Sequence, residues 1–595
     1  MTDFTFNLNK NNQNQNQMVQ QKMGAENCIA GWLRDTDQLY MKMPGATGKW
    51  PWMPYVSPKT TLTETENSSN EPVIIITQFY ITKNNNRTNE IRKCLALNAH
   101  NNQVSKIYLL NEKIYSDKEL GTKSDKIEQV NIGVRLKYSD VFSFVEKENV
   151  TGFICILNSD IFFDKSAENI KRSGLENEKK VFCQLRYEYK DKTKLVDSKL
   201  FGPRQESQDA WIFHSSQNIE ERFRKMFAFN LGVPGCDNKI VYLFNIIGYQ
   251  CYNEPELIKC YHYHNINSRS YDVNTKSLPR PLVGIVPTLK NHSEPKTNYS
   301  FNILKENERL FEYVKQKVET NSRFIIPRIA GIENNYAALG AIVGQNKQIS
   351  DQQKEFIKKT IHTMKNNAGI KITDINNIII YSKLYLDAFH QCDLYLDWEP
   401  WGDVVTYIQE SYNFITLNFK RDRIWSFAMD VFHNIYNNPW TLSLRGKRIL
   451  IISSFVDSIK EKIDDREKIY GVDLFPDCKF VFLKPPQTQG ENPSREFVEE
   501  LKDFHRQIDE VINDFDVALV SCGGYGNLVC SYIYQQGKSA IYVGGVLQMY
   551  FGIYGERWVR ERPDVLNFFL NKHWSRPKES EKPKNNQKIE NNCYW

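Results

Sequence analysis

The feature that most constrains this chain is a series of short runs that are apolar at nearly every position. VIIIT (73–77), KIYLLN (106–111) and GFICIL (152–157) show no polar alternation. A strand of that kind is buried on both faces. Segments with helical spacing lie between the runs. One is 88–99, where Ile91, Leu95 and Leu97 are apolar and Thr88 stands where an N-cap belongs; another is 138–145. Strand, helix, strand, helix, strand predicts a parallel sheet of βαβ units. Further apolar runs follow at 181–186 and 210–213, and the pattern ends near PLVGIVPTL (281–289).

A second series begins after a polar, charged stretch at 290–320, which reads as a connector with a helix at 302–318. Its candidate strands are FIIP (324–327), NIIIYS (377–382), RILIIS (448–453), KFVFL (479–483), DVALVS (516–521) and SAIYVG (539–544), with helices at 349–366 and 494–513. The expected fold class is α/β, with two Rossmann-like domains in tandem at 71–289 and 321–575. The two halves do not resemble each other. Residues 1–70 are expected to be a disordered or extended segment. They are Asn/Gln-rich over 1–25, carry Trp32, Trp50 and Trp52 without a period, and read as a linker over 59–71. The polar tail 576–595 is expected to be flexible.

At 595 residues the chain has room for two to four domains. The net charge of +6 comes without a basic stripe, so nucleic acid is not expected as a partner. Twelve cysteines form no CxxC, which suggests neither a zinc site nor a disulfide framework and points to a reducing, cytoplasmic setting. No apolar signal segment opens the chain and no run of about 18 apolar residues occurs, so no membrane span is expected.

Ligands bind at the carboxyl ends of strands in an open parallel sheet. Asn158, Ser159 and Asp160 stand at such an end. One fixed carboxylate in a short polar turn suits Mn²⁺ or Mg²⁺ bound to a diphosphate; capping of the next helix is the plainer alternative. FGPRQESQDAWIFHS (201–215) places a Gly-Pro turn and a polar run before a strand. GVPGCDNKI (232–240) sets Asp237 at a helix start, where a carboxylate serves as a general base or simply as a cap. In YHYH (261–264), His262 and His264 fall on one face of an extended strand, and either suits a metal.

NSDIFFD, GPRQESQDAWIF, PGCDN and YHYH, in this order over roughly 210 residues, resemble nucleotide-sugar-dependent glycosyltransferases of the GT-A fold. The resemblance implies Mn²⁺ or Mg²⁺ as cofactor, Asp160 as the last acid of the metal motif, and His264 or His262 as the late metal ligand. It implies Asp237 as the catalytic base of an inverting transfer. Gly202, Gln208 and Asp209 fall in the acceptor or active-site loop. Gln78, Arg87, Arg135, Tyr138 and Asn158 match positions that grip the nucleotide. Asn158 stands where an Asp is usual, and Cys236 where an acceptor-binding Glu is often found.

In the second half, RFIIPRIAGIENNYAALG (323–340) is an apolar strand running into Arg328 and then Glu333. CGGYGN (522–527) is a Gly-rich turn whose Gly523, Gly524 and Gly526 suit either backbone contact with a phosphate or a tight turn without a ligand. RIAGIE, GKRILIIS, KPPQT and CGGYGN with IYVGG resemble glycosyltransferases of the GT-D fold over about 250 residues. That resemblance implies donor contact by Arg328 and catalysis by Glu333, with Gly331 in place of the expected Asp. LYLDWEPWGD (394–403) supplies Asp397, Glu399 and Asp403 as spare carboxylates, or as a solvated loop.

The expected function is a bifunctional glycosyltransferase that takes a nucleotide-sugar donor, a UDP-sugar first, to a glycan or other hydroxyl acceptor. Two sites on one chain raise the effective concentration of an intermediate. The alternatives are one active domain with a second that only binds, or a wholly non-catalytic carbohydrate- or nucleotide-binding protein.

Overall fold

The computed structural model describes residues 53–56, 59–64, 67–190, 194–265, 278, 282–290, 303–344, 351–397, 415, 418–436, 438–561, 563–589 and 594–595. The Asn/Gln-rich start, Trp32, Trp50, Trp52, Glu399 and Asp403 lie outside the described residues. Residues 45–302 and 303–595 belong to two compact units.

The N-terminal unit is built on a seven-stranded sheet. Its strands are β2 (Val73–Thr77), β3 (Lys106–Asn111), β4 (Ile127–Asn131), β5 (Phe153–Leu157), β7 (Lys180–Gln184), β10 (Ala210–His214) and β11 (Gln250–Tyr252), in the order β11-β7-β10-β5-β2-β3-β4. Only β10 is antiparallel to its neighbours. Every residue of β2, β5 and β10 is buried, as expected of strands covered on both faces. A smaller sheet joins β6 (Ile161–Phe163), β8 (Tyr187–Tyr189), β9 (Lys199–Leu200) and β12 (Cys260–Tyr263) in the order β6-β12-β8-β9. A parallel pair, β1 (Met53–Val56) with β13 (Val283–Val286), completes the unit's strands among the described residues.

Three helices matter for the site: α1 (Asn85–His100), α2 (Tyr138–Lys147) and α3 (Cys236–Ile246). The cap of α1 is Asn84, whose side chain accepts from the Asn86 and Arg87 N–H groups. The expected cap, Thr88, instead lies inside the helix, its hydroxyl accepting from the Thr82 N–H at 3.0 Å. The Asn side chain reaches its own backbone two residues on, which starts the helix earlier. The described residues of 59–71 are not a free linker. They run along the unit through Thr63 N–H to Arg172 C=O (3.0 Å) and Ser69 N–H to Lys171 C=O (2.9 Å).

The C-terminal unit has an all-parallel sheet of β14 (Ile325–Ile326), β17 (Arg448–Ser453), β18 (Lys479–Leu483), β19 (Val517–Ser521) and β20 (Ser539–Tyr542), in the order β14-β20-β19-β17-β18. Successive residues serve opposite cores. Ile449, Ile451, Val517 and Leu519 pack on one face, and Leu450, Ile452, Ala518 and Val520 on the other. Helices α4 (Ile303–Glu319), α5 (Gly331–Gly344), α6 (Asp351–Ala368), α7 (Ile375–Gln391), α8 (Phe497–Glu510) and α9 (Gly526–Gln535) belong to this unit. A parallel pair, β15 (Leu394–Asp397) with β16 (Asp422–Trp425), adds to it.

The structure departs from three further expectations. NIIIYS (377–382) is not a strand but part of α7. Asp374 caps that helix, and Ile378, Tyr381, Tyr385 and Phe389 are buried at helical spacing. The connector 290–320 is not wholly a connector, because Leu310 and Val314 of α4 lie in the core of this unit. The tail 576–595 is not loose along its described length. Glu581 is buried and accepts from the Asp457 N–H at 2.8 Å and the Ser458 N–H at 3.3 Å, and Ile589 is also buried. Charge-rich composition predicted solvation, but one carboxylate binding orphan N–H groups at a helix start outweighs it.

Candidate functional site

The ligand end of β5 is a tight turn. Ile161 N–H donates to Asn158 C=O (3.1 Å), Asn158 N–H donates to Asp209 C=O (3.2 Å), and Ile161 and Phe163 return to the core. This fixes Asp160 between β5 and β6. The β6–β12 ladder pairs Ile161 with His262, and Tyr263 N–H donates to Asp160 C=O at 3.0 Å. The β12–β8 ladder then pairs His262 with Glu188. Strand register therefore gathers one acid, two imidazoles and a second acid from segments a hundred residues apart.

The side chains complete a connected network. His262 Nε2 lies 3.0 Å from Asp160 Oδ2, and its Nδ1 lies 3.1 Å from Glu188 Oε2. His262 and His264 stack with centroids 4.9 Å apart. Arg87, in the first turn of α1, donates from Nη2 to Asp160 Oδ2 (2.5 Å) and from Nη1 to Glu90 Oε2 (3.0 Å); Nη1 also lies 3.1 Å from His264 Nδ1. Arg186 donates to Glu188 Oε1 (2.8 Å) and to Asp209 Oδ2 (2.7 Å). Asn158 Nδ2 donates to Asp209 Oδ1 at 2.9 Å.

Charges in this network set one another. Burial opposes ionisation of Asp160, but His262 and Arg87 outweigh it and hold the carboxyl well below the usual range. Burial likewise opposes charge on Glu188, and His262 and Arg186 bring it down to about 2. Burial would lower His262, yet Asp160 and Glu188 lift it to about 9. His264 is lowered, by burial and then by the charges of His262 and Arg87.

Asp237 lies in the first turn of α3, which Gly235 opens in the left-handed conformation at φ 80°. Its carboxylate accepts from the Asn238 N–H at 3.1 Å and from the Gln208 N–H. Burial first, and then the negative charge of Asp209, push this carboxyl up to about 7. A base poised near neutral pH is matched to taking a proton from a hydroxyl.

The ligand atoms of Asp160, His262 and His264 all lie within 4.8 Å of one another. One carboxylate and two imidazoles form a donor set that fits a divalent transition ion such as Mn²⁺, and fits Mg²⁺, which takes oxygen ligands, less well.

The other expected residues fall as follows. Gln78 is used by the fold: its Nε2 donates to Leu110 C=O (3.1 Å) and Val134 C=O (3.0 Å), and its Oε1 accepts from Leu136 N–H (3.1 Å). Arg135 donates to Leu231 C=O at 2.7 Å. Tyr138 does not offer a stacking face. Its ring is 0% exposed, edge-on to Trp211 at 5.1 Å, because the aromatic residues of α2 and β10 pack together. Gly202 precedes a cis Gly202–Pro203 bond, and Gln208 Nε2 donates to Gln205 C=O at 3.0 Å. Sequence reasoning missed Glu188, Arg186 and Glu90. Glu188 was legible, for in YEY it alternates between two aromatics along a strand.

In the C-terminal unit Arg328 follows β14. Its N–H donates to Asn527 Oδ1 (3.0 Å), its C=O accepts from Asn527 Nδ2 (2.8 Å), and its Nη1 donates to Val543 C=O (3.1 Å). Glu333 is buried in the first turn of α5, near Tyr381, Tyr385 and Tyr542. Burial first, and then Glu333, push these phenols up. The glycines of the 522–527 turn have packing reasons. A Cβ on Gly524 would strike Ile370, and one on Gly526 would strike the Tyr542 ring. Gly523, at φ +54°, lies against Ala368. Asp397 is buried and paired with Arg423 at 3.0 Å, so it is not a solvated loop residue.

No family model matches the chain, and no curated protein matches it. Remote similarity to solved structures is found. One is the mannosyltransferase PcManGT from Pyrobaculum calidifontis in complex with GDP-Man and Mn²⁺, with TM-score 0.25, 11% identity, and coverage of 38% of this chain and 62% of that one. GalNAc-T7 with UDP, GalNAc and Mn²⁺ gives TM-score 0.25 and 9% identity, over 34% of this chain and 45% of that one. The domain of unknown function 1792, described as having a distinct glycosyltransferase fold, gives TM-score 0.26 and 12% identity, over 47% of this chain and 96% of that one. Likeness this remote carries no functional weight, and the case for function rests on the residues above.

Proposed function

We propose that the N-terminal unit is a metal-dependent, inverting glycosyltransferase using a nucleotide-sugar donor and a hydroxyl acceptor. The observation that carries it is a pair of unlike acids joined by one network. Asp160 is held ionised beside two histidines, while Asp237 is held near neutral next to Asp209. Two acids driven apart in this way mark separate roles. Asp160, His262 and His264 would hold the divalent cation. When bound, it offsets charge developing on the leaving nucleoside diphosphate. Asp237 accepts the proton of the acceptor hydroxyl as that oxygen attacks the anomeric carbon, while the N–H groups of Gln208 and Asn238 hold the carboxylate in place.

The C-terminal unit extends the proposal to a bifunctional enzyme, with Arg328 and Glu333 at the ligand end of β14 as donor-contacting and catalytic groups. Two observations favour a second reading, in which this unit binds without turnover. Gly331 opens α5 without a ligand atom, and Asp397 is engaged by Arg423.

The test is hydrolysis and transfer from a panel of nucleotide sugars with Mn²⁺. Activity lost on chelation and in Asp160→Asn, but kept in Glu333→Gln, is expected of the N-terminal site. Full turnover by Asp160→Asn, or tight donor binding without turnover by the wild type, would sink it.

A further inference from the structure

Arg87 occupies the place where a cation would bind. Its guanidinium bridges Asp160 Oδ2 and His264 Nδ1, two of the three candidate metal ligands, at 2.5 and 3.1 Å. The location is otherwise poor for an arginine. It lies in the first turn of α1, where the helix dipole disfavours positive charge. It is largely buried, and its Nε has no hydrogen-bond partner among the described residues. A buried donor without a partner is costly to the fold. The carboxylates of Asp160 and Glu90 offset this cost.

We propose that Arg87 is the resident cation of this site. With His262 it neutralises Asp160 while no metal is bound, and it yields Asp160 and His264 when a divalent ion arrives with the donor. The released guanidinium, with its fork of donors, then turns to the donor's diphosphate. A backbone rearrangement is not required, since the Asn84 cap holds the Arg87 N–H and only the side chain has to move. Metal and arginine compete for one carboxylate, so metal affinity is weak until an anionic donor draws the arginine away. This rests on the metal-binding reading of Asp160, His262 and His264.

The experiment is Mn²⁺ binding to the full chain without nucleotide, read from the EPR signal of free Mn²⁺. Arg87→Gln is expected to bind Mn²⁺ at least tenfold more tightly than wild type. Arg87→Lys keeps the charge but cannot bridge both ligands, so it is expected to fall between the two. It also serves as the deciding variant if Arg87→Gln folds poorly. Mn²⁺ affinity in either variant equal to or weaker than wild type overturns the proposal. Asp160→Asn separates the two failures. If no protein binds Mn²⁺ more tightly than Asp160→Asn does, the metal reading fails, and this inference with it. If binding depends on Asp160 but not on residue 87, only the role of Arg87 fails.

Discussion

Replacing Asp237 with Asn should make the protein more stable at pH 8 while abolishing transfer. The folded carboxyl keeps its proton up to about 7, and the unfolded one loses it near 3.8. Between those values the folded state holds the extra proton, so stability falls as pH rises through that window. The distance between those two values, at about 1.4 kcal/mol per tenfold change in proton affinity, gives an upper bound of roughly 4 kcal/mol of destabilisation above pH 7. Asp237 is partly exposed, and screening on its open side brings this to about 2 kcal/mol. Asn removes the charge and keeps an oxygen for the Gln208 N–H. For a unit of this size, a gain of about 2 kcal/mol raises Tm by roughly 4–8 °C. Calorimetry of both proteins at pH 8 and pH 5 is the assay. The gap should be largest at pH 8, clearly smaller at pH 5, and close only towards pH 3.8, where the unfolded carboxyl is protonated as well. The transfer rate of the wild type should meanwhile climb with pH through about 7. A variant less stable at pH 8, or a gap of equal size at both pH values, would show that the carboxylate is not strained and that its assignment as base lacks its physical ground.

Two further outcomes follow from the C-terminal unit. Gly526→Ala should lower stability by about 1–3 kcal/mol, because the new methyl meets the Tyr542 ring and that ring is tied to Gly523 C=O at 2.9 Å; an unchanged urea midpoint would refute the packing account of this glycine. Glu581→Gln should cost about 1–3 kcal/mol through weaker bonds to the Asp457 and Ser458 N–H groups. It should also expose Lys578, Lys582 and Lys584 to faster cutting by trypsin, and unaltered cleavage would count against anchoring of the tail.

Burial made most of the sheet legible. VIIIT and FICIL are apolar throughout because both faces are covered, and such runs announce themselves without any partner being known. NIIIYS misled for the same reason, since three isoleucines in a row favour a strand. The longer spacing, Ile378 to Tyr381 to Tyr385 to Phe389, carries the helical period. Within the site, Asp160 and the two histidines were legible because chemistry limits which residue types bind a cation. Their partners were not. Glu188 reaches His262 through the pairing of β8 with β12, and Arg186 joins through Glu188; register is a property of the folded sheet. Tyr138 differs for the converse reason: a tyrosine at a position that matches nucleotide contact suits stacking on a base, but Trp211 and Phe229 already enclose its ring.

Asn158 shows how such a network constrains its own members. An aspartate there would be the usual metal acid, yet its carboxylate would lie at hydrogen-bond distance from Asp209 Oδ1, which the Asn158 amide now approaches to 2.9 Å. Two carboxylates so close cannot both ionise without a cation between them, and one would take up a proton. The amide avoids this by donating. Asp209 accepts from Asn158 on one oxygen and from Arg186 on the other, and it helps to push the Asp237 carboxyl up. Restoring an acid at 158 would add a candidate metal ligand and at the same time disturb the base. The departure from two acids is therefore coupled to the elevated carboxyl of Asp237, and under the proposed function the second histidine would supply the ligand that residue 158 does not.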